Sequence, residues 1–245
     1  MTERLAVLDL GRRPYGEALA LQRDLCRRRL DGSLRDDLLL LVEHEPVVTL
    51  GRGTRPESLP VPPAELPAQG VEVFEVERGG DVTVHEPGQL VGYPILDLQR
   101  LRPDLHWYLR ELEGALIEAL ADVGLAAGRR AGLTGVWTGD RKIASIGIHV
   151  KRWVTFHGFA LNVTNSLRGF DLVVPCGIAG VEMTSVAREL ERAGADAVGA
   201  WGRTRAAVVG ALGRRFGRAP SPATLDELLA AAQGNQIAAS AVSAG

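Results

Sequence analysis

Apolar positions along the chain recur with two different periods, and each change of period marks a new element. Leu5 to Leu10 is a short apolar segment; after Pro14, Ala18, Leu21, Leu25 and Cys26 fall near helical spacing up to Leu30. This pattern predicts a strand followed by a helix. Leu38 to Val42 is apolar throughout and too short for a stable helix, and Val47 to Leu50 follows closely; both are predicted as strands of a half-covered sheet. From Gly51 to Gly70 the chain carries Pro56, Pro60, Pro62, Pro63 and Pro67 with few apolar anchors, which predicts a surface loop. Val71 to Arg78 mixes apolar and acidic positions and reads as a strand with both faces partly used.

From Pro103 the spacing changes to three and four residues: Leu105, Tyr108, Leu109, Leu112, Leu116, Leu120 and Val123, closed by Gly124. A helix is predicted there, with proline at its start and glycine at its end. Thr134 to Thr138, Arg141 to Val150 and Trp153 to Val163 are rich in β-branched and aromatic residues. With turns at Gly139-Asp140 and Lys151-Arg152 they predict a three-stranded meander. Phe170 to Val174 is predicted as a last short strand, followed by helices over about Ala206 to Phe216 and Leu225 to Ala232. The latter opens on a capping box, Thr224 to Glu227, and the Gly, Asn, Ser and Ala residues past Gln233 read as a frayed tail. No internal repeat and no obligatory linker divides the chain. The expectation is one α+β domain, a mixed β-sheet flanked by helices, with the main unit over residues 1–218 and a C-terminal helix and tail over residues 219–245.

Composition narrows the function classes. With 28 basic and 30 acidic residues among 245 the net charge is −2, which supplies no global positive field for a polyanion. At 46% apolar and 24% charged the chain lies far from the disordered regime. The apolar runs are well short of the ~18 residues of a spanning helix, and no signal peptide is read at the amino terminus, so a cytoplasmic protein is expected. Two cysteines and five scattered histidines offer neither a disulfide framework nor zinc spacing. No metal and no cofactor are expected.

Three local features carry potential chemistry. Cys176 lies in Val173-Val174-Pro175-Cys176-Gly177, just past an apolar stretch and between a residue that fixes φ and one that frees it. It is either a small buried hydrophobe or a thiol on a stiff turn open to close approach; Cys26, on the inward stripe of a predicted helix, is read as core. A reacting thiol needs a cationic or basic neighbour. Only two of the 28 basic residues are lysines, Lys142 and Lys151, and Lys142 stands at the mouth of a predicted strand. Unlike arginine it can release a proton, although an ordinary exposed hairpin lysine fits the same pattern. Arg78 to Gln89 carries glycines that let a ligand lie against the main chain, without forming a recognised phosphate loop. His157-Gly158 marks a bulge or close backbone approach, His44 a strand end that either packs or lines a cleft, and His106 and His149 structural or exposed positions.

Taken in order, these segments resemble one family. Glu43-His44 with Pro46-Val47 and Gly51, then Arg78-Gly79-Gly80 with Thr83, His85, Pro87-Gly88-Gln89 and Tyr93-Pro94, then Gly135-Val136-Trp137, Lys142-Ile143 and Gly147, then His157-Gly158 with Ala160-Leu161-Asn162-Val163, and finally Pro175-Cys176-Gly177 are similar to the lipoyl(octanoyl) transferases. The likeness spans roughly residues 40 to 180. Asn165-Ser166 stands where that family usually has an acidic residue, and the tail past Gln233 has no counterpart. The resemblance implies the fold of the biotin and lipoate protein ligase catalytic domain. It implies transfer of an octanoyl group from acyl carrier protein to a lysine of lipoyl domains, on 2-oxoacid dehydrogenase E2 subunits and the glycine cleavage H protein. Cys176 would form the acyl thioester, and Lys142 would lower its pKa and shuttle protons. Substrate binding would fall to Arg78, Gly79, Gly80, Asp81, Val82, Thr83, Val84 and His85, to Ser145, Ile146 and Gly147, and to Gly158, Phe159 and Ala160. Ile146 and Phe159 are apolar enough to bury an eight-carbon chain at ~0.8 kcal/mol per methylene. Carrier proteins are acidic, which makes Arg141 and Arg152 candidates to meet the donor. Three rivals stay open: an ATP-dependent lipoate or biotin ligase of the same fold, a Cys-His hydrolase using His85 or His157, and a binding module without catalysis.

Overall fold

The computed structural model describes residues 3–174 and 181–233. Strand β1 (Glu3–Arg13) leads into helix α1 (Tyr15–Leu30), which begins directly after Pro14, and then into β2 (Asp37–His44) and β3 (Val47–Leu50). After the proline-rich loop come β4 (Glu72–Glu75), β5 (Val82–His85) and β6 (Gln89–Ile95). Helix α2 (Leu105–Asp122) is N-capped by Asp104, whose side chain accepts from the Trp107 amide. It precedes β7 (Gly128–Arg130), β8 (Leu133–Thr138), β9 (Arg141–Lys151) and β10 (Val154–Asn162). Helices α3 (Val186–Arg192) and α4 (Ala200–Phe216) and strand β11 (Arg218–Pro222) follow, then a last helix over residues 225–233. Its capping box is present: the Thr224 amide donates to Glu227 Oε2 at 2.9 Å and the Glu227 amide to Thr224 Oγ1 at 3.3 Å. No helix among the described residues is long and apolar enough to cross a membrane.

Eight strands form one mixed sheet in the order β11-β1-β2-β6-β10-β9-β8-β7, with β1 parallel to both neighbours and the other pairs antiparallel. Its two faces are packed differently. Leu39 and Leu41 of β2 point into a core shared with α2 and α4, while Leu38, Leu40 and Val42 point into a second core under α1. The expected half-covered sheet is therefore covered on both sides at β2, which explains why that strand is a continuous apolar run instead of an alternating one.

A second sheet, β4-β3-β5, stands apart from the first. Phe170 to Val174 is not the strand its composition suggests: its first three residues complete a 3-10 turn over Arg168–Leu172, entered through Leu167 at φ +68°. Its apolar residues signal burial: Phe170 and Val173 pack under the small sheet with Val48 and Val84. Strand β11 contains Pro220 and Pro222, residues that read against a strand; it lies at the sheet edge beside β1, where a missing amide donor is tolerated. The β9–β10 turn residues are Arg152 and Trp153, both at positive φ, one position later than the sequence suggests.

Candidate active site

A cavity of about 330 Å³ opens between β5 of the small sheet and β9 and β10 of the large one. Its floor is buried, formed by Tyr15, His85, Val91, Tyr93, Phe159 and Ala160, and its rim is exposed, formed by Gly53, Arg55, Gly80, Gly132 and Thr134. Glycines set the spacing of the walls. The Gly79 amide donates to Ile148 O at 2.8 Å, and a Cβ on Gly147 would lie 2.9 Å from Arg78 Cδ and 3.0 Å from Gly79 O. Arg78 stitches the same wall from inside: its guanidinium donates to Thr49 O at 2.7 Å, to Thr49 Oγ1 at 2.9 Å and to Asp81 O at 2.7 Å. The glycine loop between Arg78 and Asp81 thus keeps its shape through a buried cation, which binds carbonyls on either side.

On the opposite wall Phe159 lies over Gly92, where a Cβ would sit 2.1 Å from the ring. Gly158 is held against Gly92 O and Pro94 in the same way, with contacts of 2.2 and 2.7 Å for a hypothetical Cβ. These two glycines let strands β6 and β10 approach closely enough for the aromatic ring to form part of the cavity floor.

Lys142 is 2% exposed and lines this cavity. Its Nζ lies 5.6 Å from the Trp137 ring centroid, within cation–π range. The lysine is held on both sides. Its amide donates to Glu182 O at 2.8 Å and its carbonyl accepts from the Thr184 amide at 2.9 Å, while Gly135 at φ +126° presses on the side chain, a Cβ there falling 2.8 Å from Lys142 Cε. Gly135 is fixed in turn by the buried Glu113 carboxylate of α2, which accepts its amide at 3.1 Å and also the Arg129 Nε at 2.8 Å.

The histidines around the floor are neutral acceptors or donors, not cations. His85 Nδ1 is 2.7 Å from Gln89 Oε1. Gln89 spends its amide hydrogens on Val84 O and Asn162 Oδ1, so its oxygen accepts and His85 Nδ1 donates, leaving Nε2 unprotonated. Burial lowers the pKa of His85 to about 3, and the pKa values of His44 and His157 to about 4. His44 donates from Nδ1 to Arg13 O and accepts the Tyr93 hydroxyl at 2.8 Å. Burial also pushes the Tyr15 phenol up to about 12. Conjugate acids this strong leave the imidazoles as weak bases.

Comparison with known proteins decides the family. The lipoyl protein ligase A/B catalytic domain matches residues 14–199. The octanoyltransferase of Gloeobacter violaceus is 53% identical over 71% of this chain and 77% of its own, and that of Synechococcus elongatus 45% identical over 94% and 95%. The chain belongs to the octanoyltransferases of this catalytic-domain family. Among solved structures, a putative lipoate protein ligase from Thermoplasma acidophilum superposes with a TM-score of 0.69 at 16% identity, over 96% of this chain and 93% of that one, which bears out the expected fold.

Most positions expected from the octanoyltransferase resemblance meet in the one cavity. Arg78, Gly80, Asp81, Val82, Thr83, His85, Lys142, Ser145, Ile146, Gly147, Gly158, Phe159 and Ala160 all line it. Gly79 contributes its main chain to the wall, and Val84 packs into the core of the small sheet. Cys176 lies outside the described residues. Cys26 is buried in α1 among leucines, and burial pushes its thiol pKa up. Arg141 is held by Glu189, with Nε and Nη2 at 2.9 and 2.8 Å from its carboxylate, which leaves it poorly placed to meet a donor. Sequence reasoning passed over Tyr15 and the rim residues Gly53, Arg55 and Gly132; their spacing carries no local signal, because distant loops bring them to the cavity.

Proposed function

We propose that this octanoyltransferase takes its acyl group from octanoyl-acyl carrier protein onto Cys176. It then passes the group to a lysine of lipoyl domains, those of 2-oxoacid dehydrogenase E2 subunits and the glycine cleavage H protein. In the first step the Cys176 thiolate attacks the donor carbonyl, the carrier thiolate departs, and the Lys142 ammonium supplies its proton. In the second, the acceptor amine attacks the Cys176 thioester. Cys176 leaves as thiolate, an amide forms, and the proton lost by the amine returns to Lys142. Thioester exchange is nearly isoenergetic and amide formation is downhill, so neither step requires ATP.

The observation that carries this reading is a buried lysine in the cavity wall, bonded through its backbone to Glu182 and Thr184, shortly after Cys176 in sequence. Before Cys176, the Val174 amide donates to Ser58 O at 2.9 Å, and Ser58 Oγ donates to Asp81 at 2.6 Å. Val174 and Glu182, described residues on either side of Cys176 in the sequence, are thus both bonded to residues at the cavity wall, which supports this reading. The weak basicity of His85 and His157 favours Lys142 over a histidine as the proton carrier, and so disfavours a Cys-His hydrolase. Arg55 at the rim, and Arg52 next to the rim residue Gly53 in the sequence, have no acidic partner among the described residues, and we assign the acidic donor to them in preference to Arg141.

The test is intact mass spectrometry after incubation with octanoyl-acyl carrier protein. An octanoyl adduct should form on wild type and be absent from Cys176→Ala. An adduct mapped to Cys26, or transfer that requires ATP, would overturn the reading, the latter in favour of a ligase.

A further inference from the structure

Glu86 is a buried acid with no part in the scheme above, and its carboxylate is fully occupied. Oε1 accepts the Leu167 amide at 2.6 Å and Asn165 Nδ2 at 2.9 Å, while Oε2 accepts the Gly169 amide at 3.2 Å and Ser166 Oγ at 3.3 Å. All four donors belong to one loop, residues 165–169, which follows β10 in the chain. The fit is close on both sides. A Cβ on Gly88 would fall 2.6 Å from the Asn165 amide nitrogen, and one on Gly169 would fall 2.6 Å from Val84 Cγ1 and 3.1 Å from Glu86 Oε2. Leu167 holds φ +68° at the centre of this loop, a conformation that a leucine adopts only when its surroundings impose it. The loop continues through the 3-10 turn to Val173, buried at the small sheet, and to Val174, bonded to Ser58.

We infer that Glu86 is a positioning residue for acyl transfer: its carboxylate fixes the 165–169 loop against the small sheet and so anchors the chain that runs on to Val174, two residues before Cys176. The inference rests on Cys176 being the acyl carrier. Glu86 touches neither the cavity nor Lys142, so it acts on the rate of thioester formation and leaves donor binding alone.

The geometry also supplies a rescue. Ser166 Oγ lies 3.3 Å from Glu86 Oε2, so a Ser166→Asp carboxylate rises beside the one it would replace. In the wild-type background two acids then share a site built for one, and Ser166→Asp should slow acylation. In a Glu86→Gln background it should restore it.

The experiment follows the octanoyl adduct on Cys176 of the full chain by time-resolved mass spectrometry, at varied octanoyl-acyl carrier protein, with thermal midpoints in parallel. Glu86→Gln keeps one acceptor oxygen and turns an amide donor toward the loop at the other, where a backbone amide and a side chain both donate. It should lower the saturating acylation rate by about tenfold or more with the donor KM unchanged, and Glu86→Gln/Ser166→Asp should regain most of that rate. Wild-type acylation with an equally fast Glu86→Gln overturns the positioning role and leaves the proposed function standing. Absence of a Cys176 adduct on wild type overturns both. Should Glu86→Gln fail to fold, the double variant decides: folded and acylating supports the role, unfolded or inert overturns it.

Discussion

At Gly135 the main chain takes φ +126°, and a Cβ would meet Ala144 O at 2.6 Å before it met the Lys142 side chain. Gly135→Ala therefore strains the backbone and displaces the lysine together. It should cost about 1–3 kcal/mol in urea denaturation and slow octanoyl transfer out of proportion to that loss. Lys142→Arg keeps the charge but puts a wider, planar group into the same slot and removes the proton that can be released. The transfer rate should drop by about 10²-fold or more, and a wild-type rate in this variant would reduce Lys142 to an electrostatic role. Gly92→Ala acts at the cavity floor, the surface to which the proposed function assigns the acyl chain. Its methyl would occupy the Phe159 ring position, so the ring must turn into the cavity, and the KM for an octanoyl donor should rise while a shorter acyl donor is less affected.

Among the elements, α3 and β9 are coupled through Glu189. Its carboxylate accepts Arg141 from β9, Thr184 Oγ1 at 2.6 Å and Arg192 at 2.6 Å, and these partners hold its pKa down at about 2. Because the arginines are partly exposed, the pairing is screened; Glu189→Gln should lower stability by about 1–2 kcal/mol, read from the urea midpoint. Helices α1 and α2 and the β8–β10 meander were legible from spacing alone, because each has one face in a core and the apolar period records it. Strand β6 was hidden: every residue from Gln89 to Ile95 is buried, so no alternation survives, and Gln89 and Tyr93-Pro94 read as motif residues instead of a strand. β5 is only four residues long and β11 carries two prolines, so both depend on partners far away in sequence. The site divides in the same way. Lys142 and the Arg78 to His85 segment carried their own signals, but Glu86 and Glu113 read as ordinary charged residues, and only tertiary structure shows what each carboxylate holds.

Over the whole molecule, a net charge of −2 leaves the donor to local charge. Arg52→Ala/Arg55→Ala, at and beside the rim, should raise the KM for octanoyl-acyl carrier protein at low ionic strength, and the difference from wild type should shrink at ~0.5 M salt, where the Debye length falls to a few ångströms. The same near-neutral surface means that the pH dependence of stability comes from the interior. His44, His85 and His157 hold folded-state pKa values of about 4, 3 and 4 against 6.5 for an exposed imidazole, so between these limits the unfolded chain binds protons that the folded chain refuses. Their contribution is fully present above pH 6.5 and is lost as pH falls through the folded values, by about 1.4 kcal/mol per pH unit for each imidazole. Glu77 and Glu189, both held at about 2 in the fold, add to the loss only below their ordinary value near 4.5. The interval from pH 6 to pH 5 therefore isolates the histidines. Urea midpoints measured across it should fall steeply, and His157→Asn, which tolerates the φ of +57° at that position, should remove about one third of the slope. A midpoint that stays flat to pH 5 would mean that these imidazoles accept protons in the folded cavity, and the argument that their weak basicity leaves proton transfer to Lys142 would fall with it.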